Sequence, residues 1–314
     1  MHMKKWIIVI VMLFAFAGLV ACEEAAEEEF DLTSTIVVYT RDTSSGTRDG
    51  FMSGIGFGDA ATDDSLLAEG FITKDNAGIM TAMTVDEYGI GYVSLSSLND
   101  TIKPLEYEGV EPTMDNVMNN TYGLKRPFNW VVRAEGDYPS TEVEQLVEAF
   151  VAFLGTTDAA DIINNKGAIA LASTVTWDDI KAEHPITEAD NSAVTVRFGG
   201  SNSITSVATA LTTAFTAKAG NFVAEHDHTG SSDAYKRTYG DQKDGDVGKD
   251  VGFASRPFKD EEKVGVEDGF SGQLAWDAIV AIVHKSNPIA NMTADTLKKI
   301  YEGTYSTWAD VPTE

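Results

Sequence analysis

Three short segments of this chain carry the residue types of an oxyanion site. The first is Arg41-Asp42-Thr43-Ser44-Ser45-Gly46-Thr47, which follows the β-branched run Ile36 to Tyr39. The second is Gly200-Ser201-Asn202-Ser203, entered from Val194 to Arg197 and leading to an apolar helical face of Ile204, Val207, Leu211 and Phe215. The third is Thr229-Gly230-Ser231-Ser232-Asp233, which leads into Ala234-Tyr235-Lys236. Each reads as a small-residue turn opening a helix. Such a start offers backbone N–H groups with no intrahelical acceptor, hydroxyls add donors beside them, and glycine lets a ligand approach the backbone. Ser, Thr, Asn and Asp also cap helices with no ligand present, which is the better reading of any one segment taken alone. Three in one chain, one with an arginine four residues before a serine, favour an anion.

The elements that must position these turns alternate along the chain as in an α/β protein with parallel strands. Strands are expected at 36–39, 91–95, 194–197, 251–254 and 278–283. One helix is expected from Thr141, where Thr141 and Glu144 have capping-box spacing, Val143, Leu146, Val147, Phe150 and Leu154 share a face, and Gly155 marks the stop. Another runs from Thr293 through Leu297 and Ile300 to Gly303. No tandem repeat is visible, which disfavours a solenoid or propeller.

Composition narrows the function. The 314 residues include 23 Lys and Arg against 49 Asp and Glu, a formal charge of -26, so attraction to nucleic acid is excluded as a general property. That excess does not forbid an anion site, because at a Debye length of about 8 Å dispersed surface carboxylates are largely screened from a buried ligand. The single cysteine, Cys22, rules out an internal disulfide and any multi-cysteine metal centre. It closes a leader in which Lys4 and Lys5 precede an apolar stretch from Trp6 to Val20, and the ending Leu19-Val20-Ala21-Cys22 resembles the bacterial lipobox. Residues 1–22 are therefore expected to be a lipoprotein signal peptide, with a lipid anchor on Cys22 at the extracytoplasmic face of the cell membrane. Residues 23–34 are expected to form an acidic tether.

Other motifs carry less. His226-Asp227-His228 suggests a metal pair, but the two rings are expected on opposite faces of a strand and no matching cluster accompanies them, so neither metal nor cofactor is expected. Gly54, Gly56 and Gly58 lack dinucleotide-binding spacing. None of the five histidines has a motif context placing it near Ser45 as a base, which argues against an exported phosphatase.

A family resemblance becomes specific at this point. Arg41 to Thr47 resembles the R-x-x-x-S-G-T motif of the phosphate-binding protein of bacterial ABC-type phosphate importers. Gly200 to Ser203 resembles that family's G-S-T-S turn, Gly230-Ser231-Ser232 its G-S-S turn, and Val251 to Arg256 its D-I-G-x-A-S-R segment. Tyr88 to Ser94, Tyr122 to Phe128, and Asn287 to Trp308 resemble further family segments. The motif order differs, since the family places G-S-T-S before R-x-x-x-S-G-T, so the chain looks circularly permuted, with residues 173–193 as the new connection.

The resemblance implies a two-lobed, type II periplasmic-binding-protein-like clamshell, one lobe from 35–98 plus 282–314 and the other from 99–281. Chain crossings near 97–103 and 276–284 would be the hinge. It implies a non-enzymatic, monomeric solute-binding protein that captures inorganic phosphate and delivers it to the permease subunits of an ABC importer. Other oxyanions such as sulfate, molybdate or phosphonate, or a sensing role, are the alternatives. The implied ligand contacts are Arg41, Ser45, Gly46, Thr47, Asn202, Ser203, Ser231 and Arg256, with Asp277 the candidate acceptor for a phosphate proton and Asp42 or Asp49 pinning Arg41. Asn202 stands where the family has threonine, and Arg256 where some members have aspartate.

Overall fold

The computed structural model describes residues 29–312, so the leader, Cys22 and most of the acidic segment lie outside the described residues. Twelve strands are described: β1 Val37–Thr40, β2 Ile72–Thr73, β3 Gly89–Ser94, β4 Lys103–Pro104, β5 Glu106–Tyr107 and β6 Lys125–Val132, then β7 Ile169–Ala170, β8 Thr195–Gly200, β9 Val223–His228, β10 Val251–Ala254, β11 Ser271–Val283 and β12 Asn291–Met292. The helices are α1 Gly46–Gly54, α2 Asn76–Met83, α3 Met114–Met118, α4 Thr141–Leu154 and α5 Thr157–Asn165, then α6 Trp177–Ile180, α7 Thr205–Thr216, α8 Ser231–Thr238, α9 Asp260–Lys263 and α10 Ala294–Tyr301. Among the described residues no helix is long and apolar enough to cross a membrane.

The main sheet runs β2-β1-β3-β11-β6-β10-β8-β9, with β4 and β7 pairing β11 off this path. Its two ends are parallel: β1 lies parallel to β2 and β3, and β8 parallel to β9 and β10. Antiparallel β6 and β11 join them. The 13-residue β11 changes partner midway, pairing β6 from Ser271 to Ala278 and β3 from Ile279 to Val283. Each parallel end sends its strands into turns that open helices, which is how α1, α2, α7 and α8 come to start where they do.

Two apolar clusters flank these ends. Around β8 and β10, Phe150 and Phe153 of α4 meet Phe198 and Phe215, with Val147, Leu146 and Leu211 filling in. Around β1 and β3, Tyr39, Ile79, Met83, Val93, Val280 and Ile282 close a second cluster. Burying a side chain of this size contributes about 1.5–3 kcal/mol. The α4 helix is capped one residue earlier than its sequence signature suggests: Ser140, not Thr141, accepts from Val143 N at 3.3 Å. Gly155 ends it as expected.

The expected strands fall on β1, β3, β8, β10 and the C-terminal half of β11, whereas β6, β9 and the two-residue β2, β4, β5, β7 and β12 are additional. β9 carries polar residues on both faces because it is the edge strand, and β6 begins with Lys125 and Arg126, which mask its apolar run. Residues 103–107 pair with Ile282 and Val283 and with β12, so a boundary at 98/99 separates elements that pair with one another. Residues 173–193 are not a loose connection. Trp177 is buried against Phe153 and Phe215 at ring-centroid distances of 5.9 and 5.4 Å, and Asn191 Nδ2 donates to Ile186 O and Ala219 O. The chain's two described ends also lie side by side: Thr35 bridges Thr307, and Ile36 N donates to Ser306 O at 2.9 Å.

Candidate functional site

Four of the strand ends converge on one buried polar cage. At the end of β1, Arg41 N donates to the Tyr92 hydroxyl at 3.2 Å and Arg41 O accepts from Arg48 Nη1 at 3.0 Å, so the backbone is pinned on both sides. Asp42 folds back on Ser44, accepting from its N at 2.9 Å and also from its hydroxyl. Ser45 then caps α1 by accepting from Thr47 N and Arg48 N.

The guanidinium of Arg41 is fully buried and points to the second turn, where Nη2 donates to Asn202 Oδ1 and Nη1 to Ser203 Oγ at 3.4 Å. Its Nε has no hydrogen-bond partner among the described residues. Burial pushes its pKa down to about 10, and nearby Arg126 pushes the same way, while Tyr92 and Asp42 oppose. It remains charged at neutral pH.

The second turn leaves β8 at Gly200, whose φ of 101° and close approach to the Phe253 carbonyl leave no room for a Cβ. Ser201 N donates to Phe253 O at 2.7 Å and Ser201 Oγ to Ser255 Oγ at 2.8 Å. The third turn supplies Ser231, the first residue of α8, which accepts from Ser255 N at 2.9 Å and lies 3.1 Å from Ser255 Oγ. The turns touch one another. Thr47 Oγ1 and Ser203 Oγ are 2.6 Å apart, and a Cβ on Gly46 would overlap the Ser231 hydroxyl. The expected residues Arg41, Ser45, Gly46, Thr47, Asn202, Ser203 and Ser231 are thus brought together.

Two expected residues sit differently. Arg256 commits its fork to Glu262, bidentate at 2.7 and 2.8 Å, with Asp49 3.5 Å from Nε, Nη2 3.4 Å from Ser232 Oγ and its Cγ against Gly46. Asp277 is fully buried behind the cage, where it accepts from Ser94 Oγ at 2.7 Å, Ser96 N at 3.3 Å and Arg126 Nε at 2.9 Å. Burial pushes its pKa up, against the opposing pull of Arg126. The expectation that Asp42 or Asp49 pins Arg41 is not met: Asp42 is held by Ser44, and Asp49 lies against Arg256.

Sequence reasoning passed over Arg126 and Tyr92 as site residues, while Ser255, expected beside Arg256, does join the cage through Ser201 and Ser231. Arg126 Nη1 donates to Thr47 Oγ1 at 2.7 Å and to Ser255 Oγ at 3.3 Å. A cationic pair opening an otherwise apolar strand was the available signal. Beside the cage lies a cavity of about 500 Å³ lined by Asp75, Asn76, Asn202, Ser203, His226 and His228. The two histidines share a face, correcting the expectation of opposite faces, because strand residues two apart point the same way. Their rings stack at 5.3 Å, and His226 Nδ1 lies 3.0 Å from His228 Nε2. Burial, with His226 adding, pushes His228 down to about 4, and no group of three metal-ligating side chains occurs among the described residues.

The cage is a set of rotatable hydroxyls, helix-start N–H groups and a buried cation, the equipment to surround a tetrahedral oxyanion with donors. Residues 186–314 match the PBP superfamily domain model. The phosphate-binding protein PstS 2 of Streptococcus pneumoniae serotype 4 is 26% identical over 313 residues, 98% of this chain and 99% of the relative. That of Streptococcus agalactiae serotype V is 27% identical over 284 residues, 88% of each. The crystal structure of a phosphate ABC transporter, phosphate-binding protein from Streptococcus pneumoniae TIGR4 superposes with a TM-score of 0.63 at 23% identity, covering 89% of this chain and all of that one. The fold is a mixed α/β, periplasmic-binding-protein-like one.

Proposed function

We propose that this chain, whose homologues are phosphate-binding proteins rather than enzymes, captures inorganic phosphate in the Arg41 cage and delivers it to the permease subunits of an ABC importer. The observation that carries this reading is Arg41 itself. A guanidinium is costly to bury unless a counter-charge meets it, and here its neighbours are an amide and a hydroxyl, with Nε unpartnered among the described residues. An oxyanion supplies the missing charge and accepts in a fork. Ser45, Gly46, Thr47, Asn202, Ser203 and Ser231 supply the remaining donors, and Arg256 braces the rim. Calorimetric titration with phosphate, sulfate, molybdate and tungstate tests the reading. One phosphate should bind with no turnover, whereas tight binding of another oxyanion with no phosphate heat reassigns the ligand.

The anchor and the permutation belong to the same proposal. Cys22→Ser should release the protein from membranes, and unchanged membrane retention counts against lipidation. The adjacency of Thr35 and Thr307 supports a permuted order, since ends that meet on the surface can be joined with little cost. Joining Val311 to Thr35 and opening the chain between Glu188 and Asp190 keeps Trp177 on its core and should yield a folded phosphate binder. An unfolded product would mean that the junction lies elsewhere. The partner change within β11 between Ala278 and Ile279, with β6 starting at Lys125, supports lobes hinged there. Such lobes close only as far as the ligand's contacts to both favour the closed form.

A further inference from the structure

The cage holds a second buried arginine whose chemistry the oxyanion reading does not use. Arg126 is 4% exposed, projects from β6 and meets the same Thr47 hydroxyl that Ser203 does. Its Nη1 divides between Thr47 Oγ1 and Ser255 Oγ, each of which is also bonded to a cage serine. Its Nε is satisfied by Asp277 Oδ2 at 2.9 Å. Its Nη2 lies 2.8 Å from that same oxygen as an ion pair, but meets no acceptor with hydrogen-bonding geometry among the described residues. The charged and titratable groups that bear on Arg126 are Asp277, Tyr92 and Arg41.

We infer that Arg126 is a second anion-gripping residue that presents Nη1 toward Thr47 and Ser255, with Asp277 behind it as the internal counter-charge that competes with the anion. The charges fit a dianion: two buried guanidinium groups share one ion-paired carboxylate, Asp277, while Asp42 and Asp75 act on Arg41 without pairing it, in a site where unpaired charge is costly. The hydrogen bonds fit as well. Nη1 now donates to hydroxyls that can themselves turn and donate to a ligand oxygen, freeing Nη1 to do the same. The site would therefore recognise a tetrahedral dianion by two guanidinium groups, Arg41 beside Asn202 and Ser203 and Arg126 beside Thr47 and Ser255. This inference rests on the oxyanion reading above and assigns its second cation.

The two members of the buried pair make opposite predictions, which separates gripping from scaffolding. Inorganic phosphate is titrated calorimetrically, near pH 8, into the parent protein, Arg126→Gln, Arg126→Lys and Asp277→Asn. Arg126→Gln should lose about 30-fold or more in affinity, and Arg126→Lys should recover part of it without the fork. Asp277→Asn keeps an acceptor for Nε while removing the competing charge, so it should bind phosphate as tightly as the parent or tighter, with a larger thermal upshift on adding phosphate. Equal losses in Arg126→Gln and Asp277→Asn would overturn the inference, because both break the same internal bridge. So would parent-like affinity in Arg126→Gln. If Arg126→Gln does not fold, Arg126→Lys and Asp277→Asn still give opposite signs. If the parent binds another oxyanion instead of phosphate, the phosphate reading fails, and the same variants are compared on that oxyanion. Binding of no anion by the parent refutes both.

Discussion

Arg41 and Arg256 are both buried arginines just past the ends of strands, β1 and β10, yet they are solved by opposite means. Arg256 is closed: Glu262 grips it bidentately and Asp49 adds a longer contact. Arg41 is open, resting on Asn202 and Ser203, with one buried nitrogen unpartnered among the described residues. Burial alone therefore does not mark a binding cation. What marks it is a guanidinium with at least one nitrogen that faces only neutral groups, because a fork whose every nitrogen meets a carboxylate has no donor left to offer a ligand.

The largest effect that follows is on Arg41. Arg41→Ala should weaken phosphate binding by about 2–5 kcal/mol, roughly 30- to several-thousand-fold, measured by calorimetry. Lys should rescue only part, since an ammonium lacks the planar fork. Folding should survive, because the substitution removes a buried charge that no carboxylate partner compensates. Parent-like binding by Arg41→Ala would falsify the assignment of the open arginine as the ligand's cation.

A smaller effect comes from the turn that Arg41 rests on. His228 Nδ1 lies 3.2 Å from the carbonyl of Ser201, tying that turn to β9. The residue is held near a pKa of about 4 by burial, then by His226, with Lys249 acting in the same direction and Asp227 against. A base whose folded pKa lies below its unfolded value contributes no penalty above about pH 6.5, and its stability contribution is lost as pH falls from there toward 4. Denaturant unfolding should thus show about 1–3 kcal/mol lost over that window, and His228→Gln should flatten the profile. An unchanged slope in the variant would assign the acid sensitivity to other groups. The open arginine's platform would then be acid-stable in its own right.

The contrast also bears on what could be read from the chain. Arg41, Ser45, Thr47, Ser203 and Ser231 were legible because each lies in a turn whose hydroxyl and glycine content is local in sequence. The fold class was legible from alternating apolar runs. The state of each arginine was not, since Arg41 meets Asn202 and Arg126 meets Thr47, at separations of 161 and 79 residues. The expected partners of Arg41 were the nearest carboxylates in sequence, but Asp42 is consumed by its own turn through Ser44, and Asp49, a turn further along α1, faces Arg256 instead. Sequence proximity ranks candidates by distance along the chain, and ion pairs between elements are set by topology. The two long missed strands, β9 and β6, follow the same logic: an edge strand and one that starts with charge lack the apolar alternation that a central strand displays.

The smallest expected effect sharpens the comparison most. Arg256→Met removes the guanidinium while keeping an aliphatic stem along Gly46, so the α1 start is not disturbed through its Cγ contact. The variant should bind phosphate within about twofold of the parent, since the lost fork was already saturated by Glu262. Stability should fall by about 1–3 kcal/mol, because Glu262 is left buried without its partner. That cost has a pH signature. Burial pushes Glu262 up, but the Arg256 fork and the Lys259 N–H more than offset it, so its folded pKa is lowered from 4.5. A lowered acid contributes stability above its unfolded pKa that is lost as pH falls through the folded value, so the parent should lose this contribution below about pH 4.5 and the variant should have none to lose. Glu262→Gln should behave alike in stability and leave phosphate affinity equally unchanged. A large loss of phosphate affinity in Arg256→Met, with Arg41→Ala binding normally, would reverse the two roles and make the closed arginine the one that opens to the ligand.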